Sequence, residues 1–292
     1  LAPAARPPWE IAGGAPMKPA AFDYYRAETL REALELRAEK RDALRIIAGG
    51  QSLGAMLNLR LVSPEGLLDI SRLDELKQIE VHDGRVEVGA AVTQSQLLDW
   101  ARLREKLPFV AQALPWVGHF QTRNRGTVGG SICHGDPSSE LPLALALLGG
   151  EVVLRTRRGS RRLSAGDFQL GMLTNACEDD EIVVAVSFPA GVGARGSAFR
   201  EVARRHGDFA IVAIGLVVMD KGQIRLGVSG MADTPQVLEL PGDIEDAAFV
   251  EQVEAFAWRL KGHTDIHASA RYRRDLLRRI APQLLSEVRQ CA

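Results

Sequence analysis

Thr122-Arg123-Asn124-Arg125-Gly126-Thr127-Val128-Gly129-Gly130-Ser131-Ile132-Cys133-His134-Gly135-Asp136-Pro137 is a glycine-rich turn followed at once by an apolar run. An earlier stretch, Ile46-Ile47-Ala48-Gly49-Gly50-Gln51-Ser52-Leu53, has the same character. Each presents a Gly-Gly pair after an apolar or hydroxyl-bearing entry, so main-chain N–H groups can approach an anion that a Cβ would hold off. Two such backbone cradles in one chain suit a pyrophosphate. Neither is a standard nucleotide fingerprint: no GxGxxG follows a strand, and the Walker spacing with its Gly-Lys-Ser/Thr ending is absent. A lone Gly-Gly reads equally well as a tight turn, and it is the pair that points to a nucleotide.

The chain of 292 residues exceeds the usual single-domain size, and its 46% hydrophobic content suffices for more than one core. With 36 basic against 37 acidic residues the net charge is −1, which argues against nucleic acid or an anionic membrane as the main partner. The longest apolar runs, 141–148 and 210–219, fall short of the roughly 20 residues a bilayer span requires. Residues 1–16 are rich in alanine and proline with no basic segment ahead of an apolar core, so they read as a tail, with Met17 opening the folded part. Three scattered cysteines, Cys133, Cys177 and Cys291, are too few for a disulfide framework or a four-thiolate site. A reducing cytoplasm is the expected home, no metal site is expected, and Cys133-His134 reads as a buried thiol beside a locally bonded imidazole.

Residues 29–40 place Leu30, Ala33, Leu34 and Arg37 on one face at helical spacing, with Thr29 as N-cap. A strand over 44–48 enters the first glycine loop, and 52–60 reads as a helix whose N-terminus faces that loop. Strands over 66–70, 78–82 and 85–89 follow, the last two joined at His82-Asp83-Gly84, giving an order of α then β rather than βαβ. Helices over 93–106 and 108–116 lead to the second glycine loop. Beyond it come a helix over 139–148, a hairpin around Arg158-Gly159, a strand over 181–188 and a linker at 190–196. Three strands, 197–203, 211–219 and 223–230, then precede helices over 244–260 and 269–287.

Ala48-Gly49-Gly50-Gln51-Ser52-Leu53, Arg123-Asn124-Arg125-Gly126-Thr127-Val128-Gly129-Gly130-Ser131 and Asp136-Pro137-Ser138-Ser139-Glu140-Leu141-Pro142, in this order, resemble three motifs of the medium, FAD-binding subunit of molybdenum hydroxylases. That family includes enzymes of the carbon monoxide dehydrogenase, xanthine dehydrogenase and quinoline oxidoreductase types. Phe199-Arg200-Glu201-Val202-Ala203-Arg204-Arg205-His206-Gly207-Asp208-Phe209-Ala210 resembles the segment that opens the family's C-terminal domain. The resemblance runs from Met17 to the end. It implies an α+β fold with a two-part FAD-binding domain of the vanillyl-alcohol-oxidase-like (PCMH) type over 17–190, its subdomains near 17–70 and 71–190. A carbon monoxide dehydrogenase flavoprotein-like domain over 194–292 would follow, built on a three-stranded antiparallel sheet and helices.

The same resemblance implies non-covalent FAD held by Ile46, Ile47, Ala48, Gly49, Gly50, Gln51, Ser52 and Leu53 in the first loop, and by Thr127, Val128, Gly129, Gly130 and Ser131 in the second. Val117 joins them from the preceding segment. Glu140 stands where the family has a carboxylate for the ribityl chain, Val183 where a residue packs on the flavin, and Arg200 where a lysine is common near the isoalloxazine. Ser131 replaces a common asparagine, Gly135 a common alanine, and Phe209 a frequent tyrosine, which leaves open how the flavin face is covered. No nucleophile–base pair is visible, so no catalytic residue is assigned. The resemblance implies an electron relay: electrons come from a small [2Fe-2S] subunit fed by a large molybdenum-cofactor subunit, and leave to an external acceptor. Molybdenum and iron–sulfur groups would then sit on partner chains, in a dimer of heterotrimers. A self-contained FAD oxidase or dehydrogenase of the same fold is the alternative, and it would need its own acid/base group. A non-catalytic nucleotide-binding protein would lack visible absorption.

Overall fold

In the computed structural model, which describes residues 18–291, the chain opens with Asp23–Arg26 (β1), Leu30–Lys40 (α1), Leu44–Ile47 (β2), Leu53–Asn58 (α2) and Gly66–Asp69 (β3). The tail expected over residues 1–16 and its boundary at Met17 lie outside the described residues. β3 lies between β1 and β2 and pairs parallel with both. The first unit is therefore a parallel β-α-β layer, not the α-then-β order expected. β1 is hard to read because Asp-Tyr-Tyr-Arg lacks apolar alternation and forms an edge. α1 forms as its residues dictate: the Thr29 hydroxyl accepts from the Glu32 N–H, and Leu30, Ala33, Leu34 and Arg37 go inward. Arg37 is tolerated there because its guanidinium donates to the carbonyls of Leu44 (2.6 Å) and Glu181 (3.3 Å).

Ile79–His82 (β4) and Arg85–Gly89 (β5) form the expected hairpin. The helical stretch after it is broken into Gln94–Leu98 (α3), Leu103–Lys106 (α4), Pro108–Ala113 (α5), a 3-10 turn at Leu114–Trp116 and Phe120–Arg123 (α6). Pro108 opens α5 where a new helix is expected, and Pro115, which cannot donate to a preceding turn, marks a further break where the apolar pattern alone suggests continuity. Next come Val128–His134 (α7), Glu140–Leu148 (α8), Glu151–Arg155 (β6), Ser160–Ser164 (β7), Ala165–Phe168 (α9) and a small hairpin of Gln169–Gly171 (β8) with Thr174–Asn175 (β9). Ile182–Pro189 (β10) then runs through the centre of an antiparallel sheet of order β4-β5-β10-β6-β7, with an irregularity between Val183 and Ala185. At the expected linker the Gly191 N–H donates to the Lys106 carbonyl at 2.8 Å, so this turn is anchored to the helical layer.

The last unit is Ser197–Val202 (β11), Val212–Val218 (β12), Ile224–Ser229 (β13), Gln236–Leu240 (β14), Asp246–Leu260 (α10) and Ala270–Cys291 (α11). Its antiparallel sheet has four strands in the order β11-β12-β13-β14, not the three expected, because β14 is a short run closed in by Pro235 and Pro241. Alternation sends Val212, Ile214 and Leu216 toward Phe249, Phe256 and Leu284, while Ala213 and Val217 join the core that holds Phe109, Leu143 and Leu147. Both faces of this sheet are therefore covered, which explains the unbroken apolar run of β12. Phe199 on β11 meets Phe109 edge-on at 5.9 Å and Trp116 at 6.3 Å, so the sheet is welded to α5. Phe199→Ala should lower the unfolding free energy by about 3–5 kcal/mol in chemical denaturation; a loss under about 1 kcal/mol would mean this junction is not a packed core.

Candidate functional site

The two glycine loops cross with nothing between them. A Cβ on Gly49 would fall 2.1 Å from the Arg125 carbonyl oxygen and 2.9 Å from Gly126 Cα, so any side chain there would force the loops apart. Gly50 turns the first loop through the left-handed region (φ 69°) into α2. The N–H groups of Gly49, Gly50, Gln51 and Ser52 find no protein acceptor among the described residues, and the loop lines a cavity of about 900 Å³. That volume lies at the upper end of the range for small-molecule sites.

The second loop differs from expectation. Its N–H groups are already taken: Val128 donates to Val92 O (2.9 Å), Gly129 to Ala90 O (3.2 Å), Gly130 to Thr127 Oγ1 (3.0 Å) and Ser131 to Thr127 O (3.1 Å). It is thus not a second backbone cradle. Gly129 is buried, and a Cβ there would meet Ala90 Cβ at 2.6 Å. What the loop offers the cavity is the open backbone of Gly130 and two hydroxyls. Thr127 Oγ1 accepts from its helix and keeps its own proton to donate, and Ser131 Oγ lies 3.2 Å from Ser139 Oγ.

Of the residues named from the sequence, Ile46, Ile47, Ala48, Gly49, Gly50, Gln51, Ser52, Leu53, Val117, Thr127, Gly129, Gly130, Ser131, Glu140 and Val183 all line this cavity. Val117 is held in place by Arg123, whose Nη1 donates to the carbonyls of Pro115, Val117 and Gly118. Val128 does not line it: the residue after the Thr127 cap faces inward and is fully buried in the core. Arg200 does not either. Strand alternation turns it to the far face of β11, where it pairs with Glu287 at 2.9 Å, and Arg204 is the arginine of that segment that reaches the cavity.

Several further cavity residues were not assigned to the site from the sequence, and Gln94 and His119 had no signal in it at all. Gln94 is 4% exposed with Oε1 unpartnered, fixed by the Thr93/Gln96 capping box that starts α3. His119 and the turn at Gly207-Asp208-Phe209 also line it and pack on each other, with Trp116 stacked on the neighbouring His206 at 4.9 Å, and Phe209 stands 74% exposed. Cys133 and Cys177 line the end beside Arg45 and Asn175. Burial pushes the Cys133 thiol far above its ordinary value and Cys177 up to about 11, so both remain protonated and unreactive at neutral pH. Burial likewise lowers the pKa of His134 and keeps it neutral. Glu140 is raised by burial foremost, with Asp136 adding to it and Glu201 and Arg123 opposing. Among the described residues no cluster of three or more His, Cys, Asp or Glu side chains could hold a metal ion, and no helix is long and apolar enough to cross a membrane.

Residues 20–191 match the family model described as FAD binding domain in molybdopterin dehydrogenase. The caffeine dehydrogenase subunit beta of Pseudomonas sp. (strain CBB1) is 38% identical over 224 residues, covering 75% of this chain and 76% of that one. The glyceraldehyde dehydrogenase medium chain of Sulfolobus acidocaldarius is 32% identical over 282 residues, covering 93% and 100%. Among solved structures, a carbon monoxide dehydrogenase from Hydrogenophaga pseudoflava, in a form lacking the Mo-pyranopterin moiety of the molybdenum cofactor, superposes with a TM-score of 0.86 at 28% identity, covering 94% of this chain and 99% of that one.

Two outcomes separate cavity from scaffold. Gly129→Val should lower the unfolding free energy by about 1–3 kcal/mol with or without ligand, because its Cβ presses on Ala90. Arg200→Ala should leave the affinity for FAD within about twofold of the parent, and a larger loss, read by fluorescence titration, would return Arg200 to the site.

Proposed function

This chain belongs to the family of FAD-binding domains of molybdopterin dehydrogenases, and we propose that it is the FAD-carrying electron-transfer subunit of a heteromeric molybdenum hydroxylase. The observation that carries the reading is the row of unpaired N–H groups at Gly49–Ser52, opening into a cavity of dinucleotide scale. Four adjacent donors at a Gly-Gly turn are left without acceptors among the described residues, the arrangement a pyrophosphate satisfies. Thr127 and Ser131 add hydroxyls from the facing loop, and Glu140 adds an acceptor for a polyhydroxy chain. Ile46, Ile47, Val117 and Val183 supply the apolar wall that excludes water from a planar ring. The residues present therefore fit FAD.

When bound, FAD supplies a redox centre able to take electrons singly and give them up in pairs, as a relay between a [2Fe-2S] partner and an external acceptor requires. The chain's own part is to bind and orient the cofactor and to keep its charged groups from competing with it. Both cavity thiols are held protonated by burial. The relatives' designations as subunit beta and medium chain support a place beside other chains. We assign the partners as a large molybdenum-cofactor subunit and a small [2Fe-2S] subunit, in a dimer of heterotrimers.

Reconstitution of the chain with FAD should yield about one equivalent, released into the supernatant by acid precipitation; flavin retained in the pellet would refute non-covalent binding. Anaerobic mixing of this flavoprotein with N-heterocycles or aldehydes should leave the flavin oxidised until partner subunits are added. Bleaching at catalytic rates by the chain alone would establish a self-contained oxidase or dehydrogenase instead.

A further inference from the structure

Alternation along β11 turns Phe199 and Glu201 toward the helical layer, while Arg200 between them faces α11. Glu201 is 6% exposed, and neither of its carboxylate oxygens has a hydrogen-bond partner among the described residues. It meets Glu140, itself 7% exposed, which stands on the cavity wall at the first turn of α8. Two carboxylates can only accept, so as a pair of anions this contact is repulsive and unbonded. One proton reverses that: a protonated Glu201 donates an O–H to Glu140, and both groups are satisfied.

The surroundings favour the proton. β12 presents Ala213 beside Glu201, α5 carries no charged residue, and α8 carries none except Glu140. Arg204 and Arg205, which follow β11, are exposed, and Asp208 is half-buried. Asp136, in the turn ahead of α8, repels charge on Glu140, and Arg123 only partly offsets it. Burial and then Glu140 itself raise the Glu201 carboxyl.

We propose that Glu201 is a positioning residue: it keeps a proton and donates it across the junction between the β11 sheet and α8, fixing the Glu140 carboxyl at the cavity wall with an oxygen left to accept from a ligand hydroxyl. This rests on the FAD reading for the identity of the ligand, and not for the proton itself. Both carboxyls unfold to ordinary acids, so the folded pair binds protons more tightly than the unfolded chain does. Its contribution is therefore full at acidic pH and declines as pH rises through about 8. Glu201→Gln keeps the shape and supplies an amide donor that does not titrate, whereas Glu201→Ala removes both.

Two measurements on the full chain decide it. In the absence of flavin, the melting temperature of Glu201→Gln relative to the parent should rise with pH, the two converging at acidic pH. With FAD, the parent's dissociation constant should climb above about pH 8, by up to about tenfold per pH unit, while Glu201→Gln stays near the parent's neutral-pH value and flat within about twofold. Glu201→Ala should bind more weakly at every pH. A parent and Glu201→Gln with parallel pH profiles in both measurements, or a Glu201→Gln chain as weakened as Glu201→Ala at every pH, would overturn the proposal. Should the parent bind no FAD, the functional reading fails, and the flavin-free melting profiles still decide whether the pair shares a proton. If Glu201→Gln does not fold, Glu140→Gln takes its place in the melting experiment, because removing either acid abolishes the anionic repulsion.

Discussion

The crossing of two backbones at Gly49 and Arg125–Gly126 is the constraint on which the rest of the cavity depends. The Gly49 Cα is close enough to the Arg125 carbonyl that a single methyl group would overlap it. That contact joins the parallel layer of β1, β2 and β3 to the helical segment ahead of α7. It also makes the first loop lie flat against the second, with its N–H groups turned to open space. Packing provides the donors here by elimination: a loop that is neither strand nor helix, pressed against another backbone, has no partner left for them among the described residues.

The second loop shows why a glycine pair is ambiguous by itself. Gly129 and Gly130 are adjacent, chemically identical and both on the cavity wall, yet Gly129 is spent on the approach of α7 to Ala90 while the exposed Gly130 faces the open space. The distinction lies in helical geometry, where neighbouring residues point about 100° apart. A substitution at either site would damage the protein, for different reasons. Only the distance to Ala90 tells a folding glycine from a ligand-facing one.

Much of this was legible beforehand because local rules decided it. The Asp83-Gly84 hairpin, the Thr29-capped α1 and the first glycine loop all depend on residues close in sequence. What was not legible depends on distant partners. β1 is a strand because β3 accepts it in parallel register, and nothing within Asp-Tyr-Tyr-Arg announces that. The run through residues 93–116 reads as two helices divided at Leu107, and the further breaks after Leu98 and at Leu114 are hidden because the apolar spacing continues across them. Motif position assigns Arg200 to the flavin, whereas strand alternation decides which side of β11 a residue occupies, and Arg204 is the one that lines the cavity. The same alternation turns Glu201 inward beside the buried Phe199. What the sequence lacked was any sign that the space opposite held another acid.

That opposition bears on how the two halves of the molecule communicate. The sheet of β11 to β14 meets the helical layer through an apolar weld at Phe199, Phe109 and Trp116, which has no preference for any charge state. Two residues further along the same strand the interface turns acidic, with Glu201 against Glu140 and no cation between them. The weld enforces the encounter, since β11 cannot withdraw Glu201 without unstacking Phe199 from its neighbours. A pair of acids held together by packing relieves its repulsion by retaining a proton. The C-terminal sheet thereby acts on the cavity through one hydrogen bond to Glu140, while Arg200, whose charge the motif suggested for that purpose, is committed to Glu287 on the opposite face.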